Sequence, residues 1–321
     1  MVAIGLLTAF LSTICWAISV FPFTKASRLM TVTSMNLLRL LGGTMLVMLT
    51  AIIIDRNFFD IFTVNHFAGW SWLGISGIIA LGIGDYFGLK MYTILSPRYG
   101  SVLTTLSPAT ALLLGMILLG ENINFFGITG ILVTIIGVMS ISLGRSERSN
   151  IPNHGHGSIW AGILYGIISA TCNGAALALS KKGFIEQAAT GYNIHPITGS
   201  FIRFVAGTLF VVLVMIFNKR LVPNLRNIKK QPAVVLKTAG LGILFGPLLA
   251  VSFAMTCIQY IDVAVAQTIF ALVPVMALII SHFIYKEKIS RYAVIGVIAA
   301  IAGVAMLIWR IQLVEYFIIK K

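Results

Sequence analysis

Residues 108–138 read PATALLLGMILLGENINFFGITGILVTIIGV, and residues 274–304 read PVMALIISHFIYKEKISRYAVIGVIAAIAGV. A single shift of 166 places Pro108 on Pro274, Glu121 on Glu287, Ile123 on Ile289, Gly130 on Gly296, Gly137 on Gly303 and Val138 on Val304. Each copy is an apolar run, a short polar break and a second apolar run. The chain therefore contains this two-span unit twice.

The duplication extends outward from there. A shift of 157 aligns Gly5 with Gly162, Ser12 with Ser169, Cys15 with Cys172 and Lys25 with Lys182. A shift of 164 aligns Arg39 with Arg203, Gly43 with Gly207, Thr44 with Thr208 and Val47 with Val211. Loop insertions change the offset, while helix interiors keep their register. The third spans of the two halves match poorly.

Composition sets the class. Of 321 residues, 58% are hydrophobic and only 10% charged, against about a quarter charged in soluble domains. A spanning helix needs ~20 mainly apolar residues. Such runs fall near 2–21, 33–54, 70–93, 98–119 and 124–144, then 158–180, 195–217, 235–258, 262–284 and 290–312. The expectation is an all-α polytopic membrane protein of ten transmembrane helices. The halves are 1–144 and 158–312, with a polar linker at 145–157 and a short tail at 313–321. Five helices per half is an odd number, so the second half enters the bilayer inverted. Many secondary transporters build a midplane site on such repeats. Residues 1–20 carry no basic residue ahead of their apolar stretch and read as a retained first helix rather than a signal peptide.

The net charge of +14 does not indicate nucleic acid, because the cations sit in short loops where they meet anionic lipid. Cys15, Cys172 and Cys257 lie inside apolar spans and behave as small hydrophobes. No phosphate-binding loop and no hydrolase or HExxH motif occurs. His154 and His156 in the linker have no cysteine or acid pair beside them to complete a metal site. The expected partners are a small-molecule substrate and membrane lipids, with no cofactor and no metal.

The repeated series from Pro108 to Val138 and from Pro274 to Val304 resembles the EamA-type permeases of the drug/metabolite transporter superfamily. That resemblance implies two inverted five-helix halves, export or exchange of amino acids, metabolites or drugs, and alternating access around a central cavity in the cell membrane. It implies that the first, third and fourth helices of each half line that cavity. On those helices the polar candidates are Trp16, Tyr86, Thr105, Tyr165, Asn173 and Gln267. The motif glutamates Glu121 and Glu287 are structural on this resemblance. It also implies termini in the cytoplasm, whereas Lys and Arg crowd the loops on the opposite side, which favours termini outside. Both orientations stay open at this point.

Residues alone single out Asp85, the one acid deep inside a span, because a charge in hydrocarbon costs at least ~2.5–3.5 kcal/mol. Arg39 lies ~10 Å from the start of the second span and Asp85 ~12 Å from the end of the third, on the same side, so an ion pair is feasible. Asp85 then either binds a proton or a substrate amine, or merely holds two helices through Arg39. Arg203, the repeat of Arg39, has no acid facing it and is expected to snorkel to the interface; otherwise it would anchor an anionic substrate group such as a carboxylate. Pro108 and Pro274 lie inside their spans and should kink them or act as hinges. A membrane enzyme and a structural or signalling membrane protein are the alternatives. The loops are too short and too poor in His, Asp and Glu to build an obvious catalytic set.

Overall fold

The computed structural model describes residues 1–27, 29–62, 67–95, 103–142, 158–285 and 291–316. The linker with its two histidines, Glu287, the start of the fourth span and the end of the tail lie outside these. All regular structure among the described residues is helical. In lipid no water satisfies exposed backbone groups, so a spanning segment must close its hydrogen bonds internally.

The first half comprises α1 (Val2–Ser27), α2 (Val32–Ile54), a third span made of α3 (Phe67–Gly77), a π-helical segment (Ile78–Gly84) and α4 (Asp85–Ile94), then α5 (Ser107–Leu119) and α6 (Phe125–Ser142). The second comprises α7 (Ile159–Ala189), α8 (Pro196–Phe217), a short α9 (Leu221–Lys229) and an eighth span made of α10 (Ala233–Ile243), a π-helical segment (Leu244–Ala250) and α11 (Val251–Cys257). It continues with α12 (Val263–Phe270), α13 (Val273–Tyr285), α14 (Arg291–Ile308) and α15 (Arg310–Val314). Seven described helices are long and apolar enough to cross a membrane. Three further apolar helices, Ser107–Leu119, Phe125–Ser140 and Ala293–Ile308, are shorter.

The offsets read from sequence reappear at helix starts. Val2 plus 157 is Ile159, Val32 plus 164 is Pro196, Ser107 plus 166 is Val273, and Phe125 plus 166 is Arg291. The poorly matching third spans obey the rule too: Phe67, Ile78 and Asp85 plus 166 are Ala233, Leu244 and Val251. Their common feature is the π-helical segment, a backbone property that side-chain matching does not register.

Equivalent helices pack against each other and run antiparallel. On α2 and α8, Thr44 and Thr208 share a hydroxyl hydrogen bond of 2.8 Å, while Asp55 at the end of α2 accepts from Thr198 at the start of α8. On α6 and α14 the contacts cross reciprocally. A methyl group added to Gly130 would lie 2.7 Å from the Gly303 carbonyl oxygen, and one added to Gly137 2.7 Å from that of Gly296. Elsewhere the halves interleave. Helix α1 packs on α10, α11 and the π segment between them, and α7 packs likewise on α3, α4 and theirs.

Two expectations need correction in detail. The sixth span does not end near residue 180 but continues to Ala189, so Lys181 and Lys182 are helical rather than loop residues. Pro108 and Pro274 do not bend continuous helices. Each sits in the first turn of a new helix, after breaks at Thr105–Leu106 and Ala271–Leu272. Proline lacks the N–H that a first turn leaves unpaired anyway, so that position suits it.

Glycine interfaces of this kind leave no room for a side chain. A β-carbon at Gly77 would overlap the Arg203 backbone, whereas one at Gly240 meets nothing within 4 Å. Gly77→Ala is expected to lose about 1–3 kcal/mol and much of the folded yield in detergent size-exclusion, with Gly240→Ala unaffected. Equal yields for the two would refute this packing.

Candidate functional site

The site begins where the π segment of the third span ends. Asp85 is the first residue after it, and its carboxylate forms an ion pair with the Arg39 guanidinium on α2. Arg39 also donates to the Asn36 side chain (3.2 Å), one turn back on α2. The pair is only partly exposed, at 11% for Arg39 and 21% for Asp85. The Arg39 Nε is buried and unpartnered, so Asp85 satisfies one edge of the guanidinium and leaves another unmet.

Glycines bring α7 against this acid. A β-carbon on Gly84 would sit 3.0 Å from Cys172 Cβ and 3.7 Å from Asn173 Nδ2, and one on Gly88 would sit 2.8 Å from Ser169 Oγ. Asn173 donates to the Ser169 carbonyl (2.9 Å), which fixes its amide along the helix. One turn beyond Asp85, Lys90 places its ammonium 5.0 Å from the Tyr86 ring centroid and 5.5 Å from that of Tyr165. Phe87 stacks on both tyrosines at 5.5 and 5.3 Å. Thus Asp85, Arg39, Tyr86, Tyr165 and Asn173 gather around α4 and α7, and Lys90 joins them.

The other candidates lie elsewhere. Gln267 on α12 donates to Ser107 Oγ (2.9 Å), the residue before Pro108, with Thr105 buried in the adjoining break. Gly174 packs on the Ser107 carbonyl, so residues 172–174 of α7 separate this second polar group from Asp85. Trp16 is half-buried on α1, the helix whose Ser12 bonds the Ala250 carbonyl of the other π segment (2.8 Å). An apolar cavity of about 530 Å³ opens on another face of α1, lined by Ile14, Ile18, Phe21, Pro22, Leu241, Phe245 and Ile280. It occupies the half of the span away from Met1.

Sequence reasoning misplaced Arg203. It does not snorkel; it is buried and donates to Ser180 (2.8 Å) and to the Met255 sulfur (3.1 Å), with its Nε unpartnered. Val251 stands where the repeat would place a second Asp85, and no ion pair forms at Arg203 among the described residues. Sequence reasoning also missed the ties on the side carrying Met1. There Glu121 accepts from Lys181 Nζ (2.7 Å) and from the backbone N–H of Val263 (2.9 Å), while Lys181 also donates to the Ile261 carbonyl (2.9 Å). Burial pushes the Glu121 carboxyl up, against the pull of Lys181. Arg310 pairs with Asp262. Lys181 as a loop cation gave no hint of this. Its helical phase toward the interior shows only once α7 is extended.

This arrangement defines a class of membrane proteins. A model of the EamA-like transporter family matches residues 3–143 and again residues 160–309. The chain belongs to the EamA-like transporter family and is a multi-pass protein of the cell membrane. Over 156 residues it is 31% identical to the uncharacterized inner membrane transporter YhbE of Escherichia coli strain K12, and equally to YhbE of Shigella flexneri. That stretch is 49% of this chain and 45% of YhbE, so the match spans about half the length of these curated relatives. A solved crystal structure shares the fold with a TM-score of 0.69 over 97% of this chain and 98% of that one, at 14% identity.

Breaking a buried pair on one side strands the other charge, at a cost of about 3–5 kcal/mol. Lys181→Met should therefore lower the thermal unfolding midpoint sharply. Lys182→Met, which removes a more exposed pair with Glu186, should shift it little. Comparable shifts in a detergent thermal melt would contradict the assignment.

Proposed function

We propose that the protein is a secondary transporter of small molecules that works by alternating access. On this reading it consists of ten spans in two inverted five-helix halves, 1–144 and 158–312, joined by the 145–157 linker. The observation that carries the reading is the antiparallel packing of equivalent helices, α2 on α8 and α6 on α14. An inverted duplication gives two arrangements of one set of contacts, related by a pseudo-two-fold axis in the membrane plane, and exchange between them opens opposite sides in turn.

The polar ties on the side of Met1 support it as a gate on that side. On the side of Met1, Glu121–Lys181, Asp262–Arg310 and Asp55–Thr198 tie elements together.

Asp85 is the coupling residue in this scheme, and the coupling ion is a proton. When Asp85 is charged it neutralises Arg39; when it takes a proton or a substrate amine, Arg39 loses its counter-ion. Each state therefore favours a different helix arrangement, and only such differential interaction can drive a population shift. Tyr86, Tyr165 and Asn173 beside it, with Trp16, Thr105 and Gln267 further along the path, supply polar contacts. Pro108 and Pro274 mark the breaks at which the fourth and ninth spans flex. The cargo is an amino acid, metabolite or drug, exported or exchanged.

Two measurements test this reading. Reporter tags after residues 145 and 312 should appear on opposite faces; the same face would remove the inverted architecture. A strain overproducing the protein should gain resistance to at least one member of a panel of toxic amino-acid analogues. Asp85→Asn should abolish that resistance, and the pH dependence of transport, at unchanged membrane abundance. Full resistance with an unaltered pH profile would end the coupling role.

A further inference from the structure

The polar ties on the side of Met1 are built from residues that the repeat does not duplicate. Glu121 follows α5 and joins three elements. It accepts from Lys181 Nζ near the end of α7 (2.7 Å) and from the backbone N–H of Val263, the first residue of α12 (2.9 Å). Lys181 donates a second bond to the Ile261 carbonyl just ahead of α12 (2.9 Å). Gly115 makes the fit possible, since a β-carbon there would lie 2.7 Å from Glu121 Oε2 and 2.9 Å from Val263 Cγ2. Beside Val263, Asp262 pairs with Arg310, and at the end of α2 Asp55 accepts from Thr198 (2.5 Å).

The repeat offsets name the residues that take the same places at the opposite mouth. Lys181 minus 157 is Thr24, and Asp262, Val263 and Arg310 minus 166 are Ser96, Pro97 and Gly144. Asp55 plus 164 is Lys219, and Thr198 minus 164 is Ser34. Among the charged groups Glu121 alone keeps its sign, as Glu287. Lys25, one residue past Thr24, is exposed and lies about 100° further round the helix. The backbone donor is lost as well, because proline has no N–H. Ser34 bonds Asn224 of α9 instead (2.8 Å).

We infer that the two gates are unequal: the Met1 side carries a charged latch centred on Glu121 and Lys181, the opposite side has no equivalent, and the empty carrier therefore rests with the Met1 side closed. This rests on the alternating-access reading. With identical halves the two arrangements would have equal energies. Here, opening the Met1 side gives up three polar ties, and closing the other mouth replaces none of them. Cargo or a proton at Asp85 must supply the difference, since only differential binding shifts such an equilibrium.

The test follows α7 and the eighth span at both ends with spin labels, on the full-length protein in lipid nanodiscs without cargo. Cys15, Cys172 and Cys257 are replaced by alanine. One label pair is Ala189→Cys with Gln259→Cys on the Met1 side, and the other is Ser158→Cys with Ala233→Cys on the opposite side; all four positions are exposed. Pulsed electron paramagnetic resonance should show mainly the short separation for the Met1-side pair. Lys181→Met should raise the ratio of Met1-open to Met1-closed protein about 100-fold, lengthening 189–259 and shortening 158–233 together. Lys181→Arg should restore the closed distribution, which a purely structural loss would not allow, and Lys182→Met should leave it in place. Thr198→Val removes one tie and no charge; it should shift the ratio the same way by about fivefold, and it decides the matter where Lys181→Met does not fold. Equal populations of the two arrangements with the latch intact, or 189–259 distances that neither variant changes, overturn the proposal. These distances need no cargo. Absence of gradient-driven flux in vesicles sinks the carrier reading without altering them, so the two failures are distinguishable.

Discussion

In a bilayer the lipid tails are as apolar as the helices they surround, so no hydrophobic force draws one helix to another. Close backbone approach and hydrogen bonds between helices must do that work, and in this protein glycine permits it. Gly130, Gly137 and Gly303 let α6 and α14 touch backbone to backbone, and Gly77 and Gly207 do so between the third span and α8. Hydroxyls complete the interfaces. Thr44 meets Thr208, Ser12 reaches the Ala250 carbonyl and Ser180 meets Ser76 (3.0 Å). Two of the interfaces join equivalent helices: Thr44 meets its counterpart Thr208, and Gly130 and Gly137 meet Gly303 and Gly296 reciprocally.

Charge breaks the symmetry. Arg39 and Arg203 are equivalent by the 164 offset, but Asp85 has only Val251 opposite it. Arg39 is thereby neutralised at a partly exposed position, while Arg203 is buried with only a hydroxyl and a thioether for partners. Uncompensated charge in a low-dielectric interior is costly. Arrangements that return Arg203 toward water or toward an anion would relieve that cost.

The helical elements were largely legible in the sequence, because apolar runs of ~20 residues report spans directly and glycine and proline positions recur at a fixed offset. The Asp85–Arg39 pair was legible from depth alone, since 1.5 Å per residue places both groups at one level. Three kinds of feature were not. The π segments are backbone geometry with no side-chain signature, so Ile78–Gly84 and Leu244–Ala250 looked like ordinary helix. The reach of Lys181 depended on helical phase beyond the apparent end of a span. Arg203 looked free to snorkel, because sequence places it ~10 Å from an interface but does not show that Gly77 and Met255 enclose it.

The deviations from regular helix fall at matching places in the two halves: a π segment in the third and eighth spans, a break in the fourth and ninth. Each widens or interrupts the hydrogen-bond ladder and exposes backbone carbonyls that a regular helix would use. Within hydrocarbon such groups are tolerated only where protein or a polar cavity receives them. Here Ser12 meets the Ala250 carbonyl at the end of one π segment, and Gly174 of α7 closes on the Ser107 carbonyl beside one break. Asp85 and Gln267 stand next to these irregular stretches. The same local cost that makes the irregular backbone rare in lipid concentrates polar chemistry at the middle of the fold, and it does so twice, in opposite orientations.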